Sequence, residues 1–113
     1  MPITSITRTA EDAIHFPAGS VIFKAGERAD EMFYVVEGEV EIQLQGKVLD
    51  TLEQAEIFGE MALIDDSPRL AMAVAKTDCL LAAIGQEQFK RLVANNPQFA
   101  LEVMGVMAQR LRQ

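Results

Sequence analysis

Tryptophan is absent, and cysteine, histidine and tyrosine occur once each. A single Cys79 excludes an intrachain disulfide and fits a reducing compartment; inside an apolar run it reads as a small buried core residue. A single His15 excludes a histidine cluster around a metal. Any Ser/His/Asp or Cys/His machinery would have to use that one ring, which precedes the first expected strand. No catalytic residue and no metal ligand is assigned, and the chain is read as a non-enzyme. Positive charge is short as well: ten Lys and Arg against seventeen Asp and Glu give a formal charge of −7. Such a surface repels a nucleic-acid backbone, so DNA binding by this chain alone is not expected. No apolar run reaches the length of a membrane span, and the start MPITSITRTAED lacks the basic-then-apolar order of a secretion signal. The expectation is a cytoplasmic protein without membrane association.

Half of the residues are apolar, enough for one small core in a chain of single-domain length. Aromatic residues make up 6%, so aliphatic side chains and Met must fill most of that core. Residues 1–12 are polar and Thr-rich and read as an arm or a short helix; residues 13–113 read as the domain. From His15 to Leu52 the pattern is β, with Gly19, Gly26, Gly38 and Gly46 between short apolar runs, as in a sandwich or barrel. Val40, Ile42 and Leu44 alternate with Glu41 and Gln43, a period of two with one buried face. Gln45, Gly46 and Lys47 read as a hairpin turn, and VLDTL as its return strand. A second β run, Leu70 to Ile84, breaks near residues 76–78.

Beyond Gly85 the period becomes helical, with Phe89, Leu92 and Val93 on one face. Asn96 then reads as an N-cap and Pro97 as the first helical residue. In the last helix, Ala100, Val103, Met104, Met107, Ala108 and Leu111 form an apolar stripe, which Phe99, Leu101 and Val106 widen. Arg110 and Arg112 complement the helix dipole in its final turn. The strands fill about residues 13–84 and the helices about 86–112. Strands and helices do not alternate, which excludes a doubly wound nucleotide fold.

One stretch concentrates chemistry: FGEMALIDDSPRLAMAV, from Phe58. Phe58 anchors it in the core, and Gly59 lets the backbone approach a ligand. A short helical turn through Glu60, Met61, Ala62 and Leu63 would present unpaired N–H groups to an anion. Pro68 fixes the approach of Arg69, whose guanidinium can hold a phosphate through two parallel hydrogen bonds. Glu60 can accept from a sugar hydroxyl. A phosphate site beside a sugar site describes a compact nucleotide. The residues alone leave a simpler alternative open, in which Arg69 pairs across the turn with Glu60 or on the surface with Asp65 and Asp66.

This stretch closely resembles the phosphate-binding cassette of the cyclic nucleotide-binding domain family, which includes catabolite activator protein, kinase regulatory subunits and cyclic-nucleotide-gated channels. Phe58, Gly59, Glu60, Ala62, Leu63, Pro68, Arg69 and Ala71 fit the pattern at its spacing, and the likeness extends over most of the chain. The resemblance implies an eight-stranded β-roll of jelly-roll type with C-terminal helices. It implies a ligand, cAMP or cGMP, and no other cofactor. Arg69 would pair with the cyclic phosphate and Glu60 with the ribose 2′-OH. Gly59, Met61, Ala62, Leu63, Pro68, Leu70 and Ala71 would line the site, and Val48 and Leu49 the wall beside the base.

Three positions depart from the pattern. Leu70 stands where the family has a small or hydroxyl side chain, Met72 is expected to turn toward the core, and Ala55 replaces a glycine. A helix-turn-helix after the last helix is not expected. The expected function is a stand-alone cyclic nucleotide-binding regulatory module acting through a protein partner or a homodimer formed by the C-terminal helix. The alternative is an interaction module on the same fold that has lost its ligand.

Overall fold

A computed structural model describes residues 1–112; Gln113, the last residue of the expected domain, lies outside them. Eight strands run β1 Ile14–Phe16, β2 Val21–Phe23, β3 Glu31–Glu37, β4 Val40–Leu44, β5 Lys47–Leu52, β6 Ile57–Phe58, β7 Met72–Ala75 and β8 Cys79–Gly85. They form two antiparallel four-stranded sheets, ordered β1-β8-β3-β6 and β2-β7-β4-β5. Helices α1 Gln86–Asn95 and α2 Gln98–Leu111 follow. This is the expected eight-stranded roll with its helices last.

The core divides in two. Phe23, Phe33, Val35, Val40, Leu52, Phe58, Ala73 and Cys79 pack between the sheets. Met32, Tyr34, Ile57 and Ile84 turn from the other face of the first sheet toward Phe99, Val103 and Val106 of α2. Central β3 is therefore buried on both faces, which its continuous run MFYVV requires.

The hairpin after β4 is a two-residue loop, Gln45-Gly46, with both residues at positive φ (53° and 79°). Such a turn matches the twist of the strands it joins. The alternation in β4 weakens toward it: Val40 is fully buried, whereas Leu44 is exposed. In β7 the small Ala73 and Ala75 point into the core and Met72 lies on the other face, half-buried, contrary to the expectation for Met72. The break near residues 76–78 separates β7 from β8 as anticipated.

Asn96 is extended, at φ −148°, and Pro97 is already helical, at φ −57°. The Gln98 backbone N–H donates to Asn96 Oδ1 at 3.2 Å, so Asn96 caps α2 with Pro97 in its first turn. The buried face of α2 differs from the expected stripe. It runs Phe99, Val103 and Val106, while Leu101, Met104 and Leu111 face solvent.

The N-terminal residues are strapped down. Ile3 is buried and its N–H donates to Ala55 O at 2.7 Å. The backbone N–H groups of Thr4 and Ser5 donate to the Glu102 carboxylate of α2 at 3.0 and 2.9 Å. Asn96 Nδ2 donates to Ser5 O at 2.8 Å. A short 3-10 turn, Ala10–Asp12, precedes β1.

Candidate functional site

Strand β6 ends at Phe58, whose ring stacks on Phe33 (centroids 5.3 Å apart) and meets Phe23 at 5.9 Å. This aromatic shelf carries Arg69, whose guanidinium carbon lies 4.1 Å from the Phe23 ring centroid. Arg69 Nη1 donates to Gly59 O at 3.0 Å and Nη2 to Glu31 O at 2.6 Å. Its backbone is fixed as well: the N–H donates to Glu27 O at 2.8 Å, and its carbonyl accepts from Gly26 N at 2.7 Å. Burial pulls the Arg69 pKa down, and Glu31, Asp30 and Glu27 oppose that shift. Arg69 pairs with neither Glu60 nor the two aspartates; Asp65 Oδ1 instead accepts from Ser67 N at 3.0 Å. The fork thus uses two of its five N–H donors on carbonyls.

Gly59 makes this approach possible. Its φ is +73°, and a Cβ there would lie 2.5 Å from Arg69 Nη1. Beyond it, Glu60–Leu63 forms a single 3-10 turn. Glu60 is 5% exposed, and its carboxylate forms an ion pair with Arg110 of α2. Arg110 Nη2 also donates to Ile57 O at 2.6 Å. Burial lowers the Arg110 pKa, while Asp50 and Glu56 hold its charge. Sequence reasoning assigns Arg110 only the role of complementing the helix dipole. Its signal was positional: it lies four, seven and eleven residues after Val106, Val103 and Phe99, on the face that α2 buries.

These groups surround a half-open cavity of about 350 Å³, within the range of small-molecule sites. Gly59, Glu60, Met61, Ala62, Pro68, Arg69, Leu70 and Ala71 all line it. Leu63, also expected at the site, packs against the core beneath α2 instead. Of the two residues expected at the base-side wall, Leu49 lines the cavity and Val48 does not. The register explains this: Gln43 pairs with Val48 and Ile42 with Asp50, so Leu49 is the extra residue of a β-bulge. Leu70 is 80% exposed at the rim. His15 is exposed on β1. No group of metal-ligating side chains is found among the described residues, and no helix there is long and apolar enough to cross a membrane.

A family model described as the cyclic nucleotide-binding domain matches residues 13–96. The chain is 42% identical over 87 residues to the cAMP-dependent protein kinase regulatory subunit of Aspergillus fumigatus, covering 74% of this chain and 21% of that protein. It is 32% identical over 103 residues to the cAMP-activated global transcriptional regulator CRP of Salmonella typhimurium, covering 86% of this chain and 49% of that one. The chain therefore spans a fifth to a half of the length of these curated relatives. The crystal structure of Thermus thermophilus catabolite activator protein superposes with a TM-score of 0.78 at 32% identity, covering 91% of this chain and 52% of that one. The matched segment, the two-sheet roll and the Arg69 cavity agree, and the chain belongs to the cyclic nucleotide-binding domain family.

Proposed function

We propose that the cavity binds a cyclic nucleotide, cAMP or cGMP, and that the chain acts as a regulatory module rather than an enzyme. The observation that carries this reading is the seating of Arg69. Two carbonyls and an aromatic shelf hold its guanidinium beside the cavity with N–H donors to spare, an arrangement suited to a singly charged phosphate diester. The N–H groups at the start of the Glu60 turn add donors for the same phosphate. The Glu60 carboxylate, paired with Arg110, accepts from the ribose 2′-OH. Because Arg110 belongs to α2, occupancy of the sugar site acts on that helix directly. The exposed Leu101, Met104 and Leu111 offer α2 an apolar face for a second copy or a protein partner.

Thermal unfolding with and without millimolar cAMP or cGMP tests the reading. A ligand at a hundred times its Kd stabilises the fold by about 2.7 kcal/mol, and Arg69→Ala should abolish the shift. A shift that survives Arg69→Ala would put the ligand elsewhere. A second reading, an interaction module on the same roll, draws on the bare Leu70 side chain at the rim and the apolar face of α2. No shift with either nucleotide, together with self-association lost in Met104→Glu, would select it.

A further inference from the structure

The one thiol of the chain is shielded from oxidants. Cys79 is buried, its Sγ lies 3.2 Å from both Glu39 O and Thr77 O, and burial pushes its pKa up. It therefore stays a protonated, inert thiol. Oxidation falls instead on the six methionines, whose thioethers react without ionising. Exposure sorts them. Met32 is buried, Met72 is half-buried and Met107 packs against the core. Met1, Met61 and Met104 are exposed.

Of these three, Met61 lines the large cavity beside Arg69, Met1 lines a separate small cavity, and Met104 lies on the free face of α2. Met61 is 47% exposed, so it stands at the mouth, open to solvent. It is the second residue of the 3-10 turn Glu60–Leu63, the turn whose N–H groups are offered to the phosphate. Its carbonyl accepts from Ile64 N at 3.1 Å and Asp65 N at 3.2 Å. That pair of bonds fixes its backbone where the turn runs out into the exposed, irregular segment ending at Pro68.

We propose that Met61 is an oxidation switch: a peroxide converts its thioether to the sulfoxide, and the sulfoxide lowers the affinity of the cavity for cyclic nucleotide. The inference rests on the function proposed above. A sulfur lone pair attacks one peroxide oxygen, the O–O bond breaks and an S–O bond forms. The departing hydroxide takes up the remaining proton and leaves as water. Sulfur loses two electrons and the peroxide gains them. A flexible apolar side chain thereby becomes polar. Its new oxygen carries partial negative charge and only accepts hydrogen bonds, as the phosphate does. Facing the phosphate, it repels it; facing Arg69, it takes up the spare N–H donors that the phosphate uses. A dithiol-dependent sulfoxide reductase removes the oxygen as water while its thiols form a disulfide, which resets the switch.

Calorimetric titration of the full chain with cAMP, before and after hydrogen peroxide, tests this, with peptide mass mapping to locate the added oxygen. The wild type should gain oxygen at Met61 and lose at least about fivefold in cAMP affinity. The two methionine sulfoxide reductases, one for each epimer, should restore it. Met104→Leu should respond as the wild type does. In Met61→Leu the same treatment should change affinity by less than about twofold from that variant's own untreated value. Met61→Gln, polar without any oxidant, should bind cAMP more weakly than Met61→Leu at a matching urea midpoint. Unchanged affinity with oxygen on Met61 overturns the proposal. So does an equal loss in Met61→Leu, which would put the sensitive methionine elsewhere, and so does oxidation of Met104 with Met61 left intact. Each of these leaves the proposed function standing. Untreated wild type that binds neither cAMP nor cGMP overturns the function and this inference together.

Discussion

The Gly59 Cα and the Arg69 guanidinium approach so closely that no side chain fits between them: a Cβ on Gly59 would stand 2.5 Å from Nη1 and 3.3 Å from the guanidinium carbon. The same residue sits at φ +73°, a region that costs other residues about 1–2 kcal/mol. Gly59→Ala should therefore lower stability by at least that amount in urea unfolding. It should also weaken cyclic nucleotide binding beyond what stability explains, because the guanidinium is pushed off the carbonyls that aim it. Binding unchanged in folded Gly59→Ala would mean that the position of Arg69 does not matter to the ligand.

Ala55 is strained where a glycine would not be. Its φ is +70°, and it lies in the turn between β5 and β6 that leads into Gly59. Ala55→Gly relieves a left-handed alanine but loosens the unfolded chain and removes a methyl packed against the core. The net should be a gain of about 0.5–1 kcal/mol, read as a higher urea midpoint at unchanged slope. A loss would show that the packing of the methyl outweighs the backbone strain.

The sequence made some features legible because their physics is local. The left-handed Gly46, the strand break at residues 76–78 and the Asn96-Pro97 start of α2 are each determined by a few neighbouring residues, and each was readable. The cassette was readable through its pattern of residue types at fixed spacing. What was missed depends on partners distant in sequence. Met72 looks like core, but the register pairs Ala75 with the buried Val40 and Ala73 with Ile42, which leaves Met72 opposite Gln43 on the other face. The bulge that brings Leu49 and Asp50 to the cavity and leaves Val48 off it arises from pairing with β4 and leaves no mark in the order of β5 residues. Helix α2 offers apolar residues all round, so periodicity could not say which third of it meets the sheet, and Arg110 was hidden with that choice.

Glu102 ties α2 to the N-terminal strap and gives the fold a pH dependence. Burial alone would raise its pKa, but hydrogen bonds from Ser5 and Thr4 outweigh that and hold it at about 2. A carboxyl whose pKa is depressed on folding contributes fully above its unfolded value, near 4.5, and loses that contribution as pH falls toward the folded value. Stability should therefore decline between about pH 4.5 and 2 with a component that Glu102→Gln removes. At neutral pH the same variant should cost about 1–2 kcal/mol, the difference between charge-assisted and neutral acceptors. Identical acid profiles for the two proteins would show that the strap bonds do not depend on charge.

Glu60 and Arg110 test whether the sugar site and α2 form one unit. Glu60 is almost wholly buried, and Arg110 is the cation that faces it. Removing one partner of such a pair is costly because the other is left charged in a poor solvent, about 3–5 kcal/mol for a fully buried pair. The Arg110 side chain is 30% exposed, so water offsets part of that, and Arg110→Met should cost about 2–3 kcal/mol. Glu60→Gln removes the stranded charge, so Glu60→Gln with Arg110→Met should recover at least half of the loss, a coupling visible in a double-mutant cycle in urea. The same double variant should still fail to bind cAMP tightly, since a neutral amide replaces the carboxylate that accepts from the 2′-OH. Additive losses in the cycle would mean that the two residues hold the fold separately, and ligand occupancy would then have no direct route from the sugar site to α2.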